Sequence, residues 1–290
     1  MPVTSIDDFF KPAVKAEDCT YKNVRDLNTQ PYPMAREKCL RLWEKFKPYA
    51  DSKFLSQLQK HFGGGCWEML LTKKILEQGL TISSKDDGPD ICTTIQNKNV
   101  FIEAICTKRG EQHNQVNALP PSDKLQSLKE DPISLRLTSA FRTKNDAFKK
   151  YLNEGIVTLN DILIIAINAG DVPDGHIENS QCPRMVQLAY AIGDAIFIYN
   201  DESSEVVSSY QRREQMINAK GSPINTNLFL DTDNSHISAI LYTSENIFNS
   251  KEYYLVLNPN AKVPLPAGSI HGVREFNLNT HEDILNWKDN

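Results

Sequence analysis

A glutamate stands in the middle of an apolar run, Asn99-Val-Phe-Ile-Glu103-Ala-Ile-Cys106, that otherwise reads as a buried central strand. Ionised and alone in such a strand, a carboxylate costs several kcal/mol, so it demands a cationic partner or a metal. Upstream, Asp86-Asp-Gly-Pro-Asp90 sets a second carboxylate just past a Gly-Pro turn. Any fold for this chain has to account for both acids.

The surrounding periodicity predicts an α/β fold. Residues 66–78 form a helix ending at Gly79, with Glu68 on the shoulder of its apolar face beside Thr72 and Ile75. Strands Leu80–Ser83, Ile91–Ile95 and Val100–Cys106 follow as an antiparallel meander, with turns at 86–89 and 96–99. A polar stretch, 109–132, reads as a functional loop. The helix over 134–152 carries the stripe Leu137, Phe141, Lys144, Phe148 and Tyr151, of which Lys144 is the odd member. Ile162–Asn168 and Ala195–Tyr199 read as buried strands with a short helix, 184–192, between them, and strand-like runs recur at His236–Thr243 and Glu252–Leu257. Upstream, 34–60 reads as two amphipathic helices broken near Pro48, and 1–32 as an irregular arm.

No repeat or low-complexity linker divides the chain. The expected organisation is an N-terminal arm and helical cap (1–60), an α/β core (61–200) and a β-containing extension on the same domain (201–290). The net charge of −5 excludes a protein that coats nucleic acid through a global basic field, and leaves room for a local basic groove. Short apolar runs and an amino terminus without a secretory pattern predict a soluble, cytoplasmic protein with no membrane partner. The six cysteines form no CxxC pair and are expected to be reduced and buried, and no His/Cys spacing resembles a zinc site. Gly63-Gly-Gly lacks a following GK[ST] and reads as the turn into a helix. Cys106 lacks a histidine partner for nucleophilic chemistry.

The order helix, three-stranded meander, helix, strand, helix, strand (αβββαβαβ, mixed sheet), with Glu68 on the first helix, Pro89-Asp90 opening the second strand and Glu103 on the third, resembles the PD-(D/E)xK, or restriction-endonuclease-like, nuclease superfamily over roughly residues 61–200. The resemblance implies metal-dependent hydrolysis of nucleic acid, DNA first. Asp90 and Glu103 would be the ligands of Mg²⁺ (or Mn²⁺), with Glu68 an outer or second-metal ligand. The family's lysine, two residues after the acid, is replaced here by Ile105. Lys108 lies farther on and faces the other way, so Lys144 is the substitute, since some members of the superfamily supply the lysine from the following helix. Arg136, Arg142 and Lys149 on the flanks of that helix would meet the phosphate backbone.

Each residue also has a plain structural role open to it: Asp90 as a turn residue, Glu68 on a helix surface, Glu103 in an ion pair with Lys144, Lys144 snorkelling from its stripe, the three basic flanks on a solvated face. The competing function is a catalytically degenerate nuclease-like module that binds nucleic acid or a protein partner.

Overall fold

The computed structural model describes residues 9–10, 18–83, 88–200 and 205–278. Residues 1–8 and 11–17 of the expected N-terminal arm, the Asp86-Asp87 half of the first turn and the C-terminal polar tail lie outside the described residues.

Where the arm is described it is not irregular: α1 (Cys19–Asp26) starts at Asp18, whose carboxylate accepts hydrogen bonds from the Thr20 and Tyr21 amides. Helices α2 (Tyr32–Phe46) and α3 (Phe54–Leu58) flank the Pro48 break as expected. The rings of Phe46 and Phe54 meet across it, with centroids 4.5 Å apart. Helix α4 (Phe62–Leu76) begins earlier than its apolar stripe indicates, because the three glycines are helical. A Cβ at Gly63 would run into the Asp171 carboxylate, and one at Gly65 would lie 2.5 Å from the Leu58 side chain, so close packing excludes larger residues there. With Trp67, Met69, Leu71 and Ile75 all buried, α4 is enclosed nearly all round between the sheet and the cap helices.

The remaining elements are β1 (Ile91–Ile95), β2 (Lys98–Lys108), α5 (Glu130–Asn153), β3 (Ile162–Asp171), α6 (Arg184–Tyr190), β4 (Ile192–Asn200), β5 (Glu205–Arg212), β6 (Gln215–Ile217), β7 (Pro223–Asn225), β8 (Ala239–Thr243), β9 (Tyr253–Leu257) and β10 (Arg274–Phe276). Six of the strands form one mixed sheet in the order β1-β2-β3-β8-β9-β10. β2, β3 and β8 run parallel, β1 is antiparallel to β2, β9 is antiparallel to β8, and β10 is parallel to β9. Helices cover both faces. Val100, Ile102, Ala104, Ile164 and Ala166 pack toward α4 and the cap. Phe101, Leu163, Ile165 and Ile167 pack toward α5 and α6. Burial on both faces explains why β3 reads as a continuous apolar run.

Two of the expected strands fail. Leu80–Ser83 does not form a full first strand: Ser83 makes a single antiparallel bridge to Cys92. Nor is Ala195–Tyr199 a buried strand of the core. It belongs to β4, which pairs only with β5 in a separate two-stranded ribbon. Phe197 is 73% exposed there and Tyr199 59%. The place beside β3 is taken by β8, whose five residues are all buried. The sheet therefore carries across residue 200, and β8, β9 and β10 are half of its strands. All six cysteines are free, with Cys39, Cys66 and Cys182 buried, Cys92 and Cys106 partly buried and Cys19 exposed rather than buried. Among the described residues no helix is long and apolar enough to cross a membrane.

A fragment ending at Asn200 would leave β3 without its β8 partner and expose Ile164, Ile165 and Ile167. We expect such a fragment to give no cooperative thermal unfolding transition by circular dichroism. A cooperative melt like that of the full chain would contradict this account of the core.

Candidate functional site

The hairpin of β1 and β2 positions both acids. Its two-residue turn, Gln96-Asn97, has positive φ at both positions, 48° and 64°, the conformation that joins twisted antiparallel strands tightly. The register is fixed at Ile91 opposite Ile102, so the next rung brings Asp90 beside Glu103. At that rung the backbone of the upstream segment leaves the sheet. The Asp90 side chain takes over the ladder, its Oδ2 accepting from the Ala104 amide at 2.6 Å.

Glu103 lies on the α5 face of β2, between Phe101 and Ile105, and is only 2% exposed. Helix α5 supplies the cation. The Lys144 ammonium lies 2.5 Å from Glu103 Oε2 and 3.5 Å from Asp90 Oδ2, so one charge touches both acids. Two turns along the same face, the Tyr151 hydroxyl donates to the Gly88 carbonyl at 3.3 Å. The segment carrying Asp90 is thus tied to α5.

Glu68 reaches the same edge from the opposite side. It projects from α4, half-buried, into a cleft of about 450 Å³ that it shares with Thr72, Asp90, Ala104 and the α2–α3 connection, including Tyr49 and Lys53. Asp90 therefore stands between Glu68 on one face of the sheet and Glu103 with Lys144 on the other.

The electrostatics follow from three acids facing one base. Burial, then the Asp90 charge, pushes the Glu68 carboxyl up to about 7, against the pull of Lys144. Burial and Asp90 also raise Glu103, opposed by Lys144 and Tyr151. Burial works against the charge on Lys144, but Asp90 and Glu103 outweigh it and raise its pKa. Burial and Glu103 hold the Tyr151 phenol up at about 12. A surplus of negative charge of this kind is what an added cation relieves. Among the described residues, no three Asp, Glu, His or Cys side chains already converge on a metal position. A hard divalent ion commonly uses only one or two carboxylates and fills its shell with water and substrate oxygens. Asp90 and Glu103, which already share a cation, are the pair whose chemistry fits one.

The three flanking bases are not brought here. Arg136 donates to the Lys108 carbonyl at 2.9 Å, at the far end of β2. Arg142 and Lys149 are exposed and line a separate cavity with Asn145 and Asp231, because residues two places before and five places after Lys144 on a helix point away from it. Lys108 meets the His61 ring at 2.9 Å and takes no part. Sequence reasoning missed Tyr151, which it placed in the apolar stripe; its spacing of seven from Lys144 was the available signal. It also missed the α2–α3 connection as a wall of the cleft.

The folded-state pKa of Glu68 stands above its ordinary value near 4.5, so the folded chain holds an extra proton between about 4.5 and 7. Stability should fall as pH rises through that window and level off above it. Glu68→Gln removes this loss: we expect the variant to be more stable than the parent at pH 8, by about 2 kcal/mol after solvent screening, and close to it at pH 4. Urea melts at the two pH values check this, and a variant less stable at pH 8 contradicts it.

No family model, no curated protein and no solved structure matches this chain.

Proposed function

We propose that this chain is a metal-dependent phosphodiesterase of the restriction-endonuclease-like type, hydrolysing nucleic acid, with DNA the first substrate to try. The observation that carries the proposal is the meeting of Asp90, Glu103 and Lys144: the ammonium expected two residues after Glu103 comes instead from α5, on the strand face where Ile105 lies.

Mg²⁺ or Mn²⁺ would be held by Asp90 and Glu103, with Glu68 approaching from the cleft, and would supply polarisation of the phosphoryl oxygen and a more acidic attacking water. The protein's own groups do the rest. Lys144 offsets negative charge developing on the phosphoryl oxygens. Glu68, with its carboxyl near neutrality, is suited to take the proton of a water in the cleft as the water oxygen bonds to phosphorus. The bond from phosphorus to the departing sugar oxygen breaks, and that oxygen takes up a proton from solvent water. The Ala104 amide fixes Asp90, and Tyr151 fixes the turn before it. With Arg142 and Lys149 elsewhere, Lys53 on the cleft wall is the exposed cation placed to meet a backbone phosphate.

One observation favours the degenerate alternative: Lys144 and the nearly inaccessible Glu103 satisfy each other directly. The two readings separate in one experiment. Purified protein with Mg²⁺ or Mn²⁺ should cut at least one of single-stranded DNA, duplex DNA and RNA. Asp90→Ala, Glu103→Ala and Lys144→Ala should each slow cutting on the order of 10²–10³-fold while keeping a cooperative melt. No cutting of any substrate, or cutting unaffected by these changes, overturns the nuclease reading. Stoichiometric binding that survives chelation and the same substitutions establishes the binding module.

A further inference from the structure

The cleft that receives Glu68 and Asp90 has a far wall that bears on which substrate can enter. Among the described residues that wall is the α2–α3 connection, with Tyr49 and Lys53, and Gln57 of α3. The connection is held in place from within. The Tyr49 amide donates to the Phe46 carbonyl at 2.8 Å, and Asp51 Oδ1 accepts from the Lys53 amide at 2.7 Å. Behind it the rings of Trp43 and Phe54 stack with centroids 5.7 Å apart. Tyr49 is half-buried, so part of its ring packs on the core and part is open to the cleft. Lys53 is exposed and, among the described residues, forms no ion pair.

Size decides what passes between this wall and the sheet edge. At about 450 Å³ the cleft is in the range that encloses one small ligand, and a single nucleotide is of that size. Duplex DNA is far wider, since its major groove alone spans about 12 Å. Glu68 is half-buried in the cleft and Asp90 is 38% exposed, so a phosphate that meets both acids has to come in between α4 and the connection. Enzymes that bring one nucleotide into a confined pocket take it from a single strand or first extrude it from the duplex. Proteins that hold single strands pair a cation for the backbone with an aromatic face for a base. Lys53 and Tyr49, four residues apart on one wall, supply that pair.

We propose that the site takes single-stranded nucleic acid: one nucleotide enters the cleft, a base stacks on the Tyr49 ring, and a backbone phosphate meets Lys53. This inference rests on the nucleic-acid reading of the Asp90 site and adds to it the class of strand. Stacking on a ring is indifferent to base identity, because every base has a flat face. The α2–α3 connection therefore selects for strandedness rather than for sequence, and a paired strand is too wide to follow.

The test reads binding by fluorescence anisotropy, with one end-labelled oligodeoxynucleotide used single-stranded and annealed to its complement. The full chain carries Asp90→Asn, which keeps an acceptor for the Ala104 amide and slows cutting. We expect the single strand to bind about tenfold tighter than the duplex, or more. Tyr49→Ala should weaken single-strand binding about tenfold, as should Tyr49→Leu, which keeps apolar packing without a flat ring, while Tyr49→Phe should leave it unchanged. Lys53→Ala should lower the slope of log K against log salt by about 0.7. Thermal melts check that each variant is folded. In the chain with Asp90 intact and Mg²⁺ present, Tyr49→Ala should raise KM more than it lowers kcat. Duplex bound as tightly as the single strand, no binding of single strands, or binding indifferent to Tyr49→Ala and Tyr49→Leu overturns the inference. Single-strand binding with these effects in a chain that cuts nothing upholds it and overturns the nuclease reading alone.

Discussion

The Lys144 ammonium is the contact on which this architecture turns. Glu103 occupies a strand position that geometry would assign to an aliphatic side chain, in contact with the same helix as Phe101. Helix α5 meets that acid with a cation drawn from the middle of its own apolar stripe, and the same cation reaches Asp90 at the sheet edge. Strand, helix and turn thereby converge on one charge. Replacing the trio with hydrocarbon would make a more ordinary core, since buried ion pairs are weak contributors to net stability. Retention of three charged groups in this layer is easier to understand as chemistry than as cohesion.

A second buried ionic cluster shows the contrast. Arg184 at the start of α6 is 3% exposed and is surrounded by Glu130, Glu178 and the Tyr242 hydroxyl, which donates to Glu178. Arg184 also donates to the Ile177 carbonyl at 2.5 Å. Its charges are matched by several hydrogen bonds, and it fastens α5, α6 and β8 together as a closed structural knot. Around Asp90 a third acid joins the two that share the base, and Glu68 and Asp90 open on a cleft. Imbalance beside a cavity distinguishes a candidate site from a structural network.

Sequence pattern was informative where local periodicity and burial coincide. The stripe of α5, the apolar run of β3 and the pairing of Lys144 with an acid could all be read because a charge inside an apolar pattern must be answered nearby. It was uninformative about which partner an apolar segment chooses. Ala195–Tyr199 has the composition of a core strand, yet pairs only with β5, because β8 occupies the position beside β3. Arg142 and Lys149 could be placed on a helix flank but not against a particular neighbour, since the Asn227 and Asp231 segment that meets them lies far along the chain. Tyr151 was hidden by its dual character, counting as apolar in a periodicity while its hydroxyl does polar work.

The Gln96-Asn97 turn gives the hairpin an arithmetic as well as a shape. Successive side chains of a strand alternate faces, and this turn sets how many residues separate Asp90 from Glu103 along the paired strands. Substitutions that keep the turn's backbone leave the count intact. Gaining or losing one residue between Ile91 and Glu103 would slip the pairing by one, carrying the glutamate to the α4 face and leaving Lys144 opposite an alkyl side chain. Natural or engineered variation in this segment should therefore be tolerant of spelling and intolerant of length.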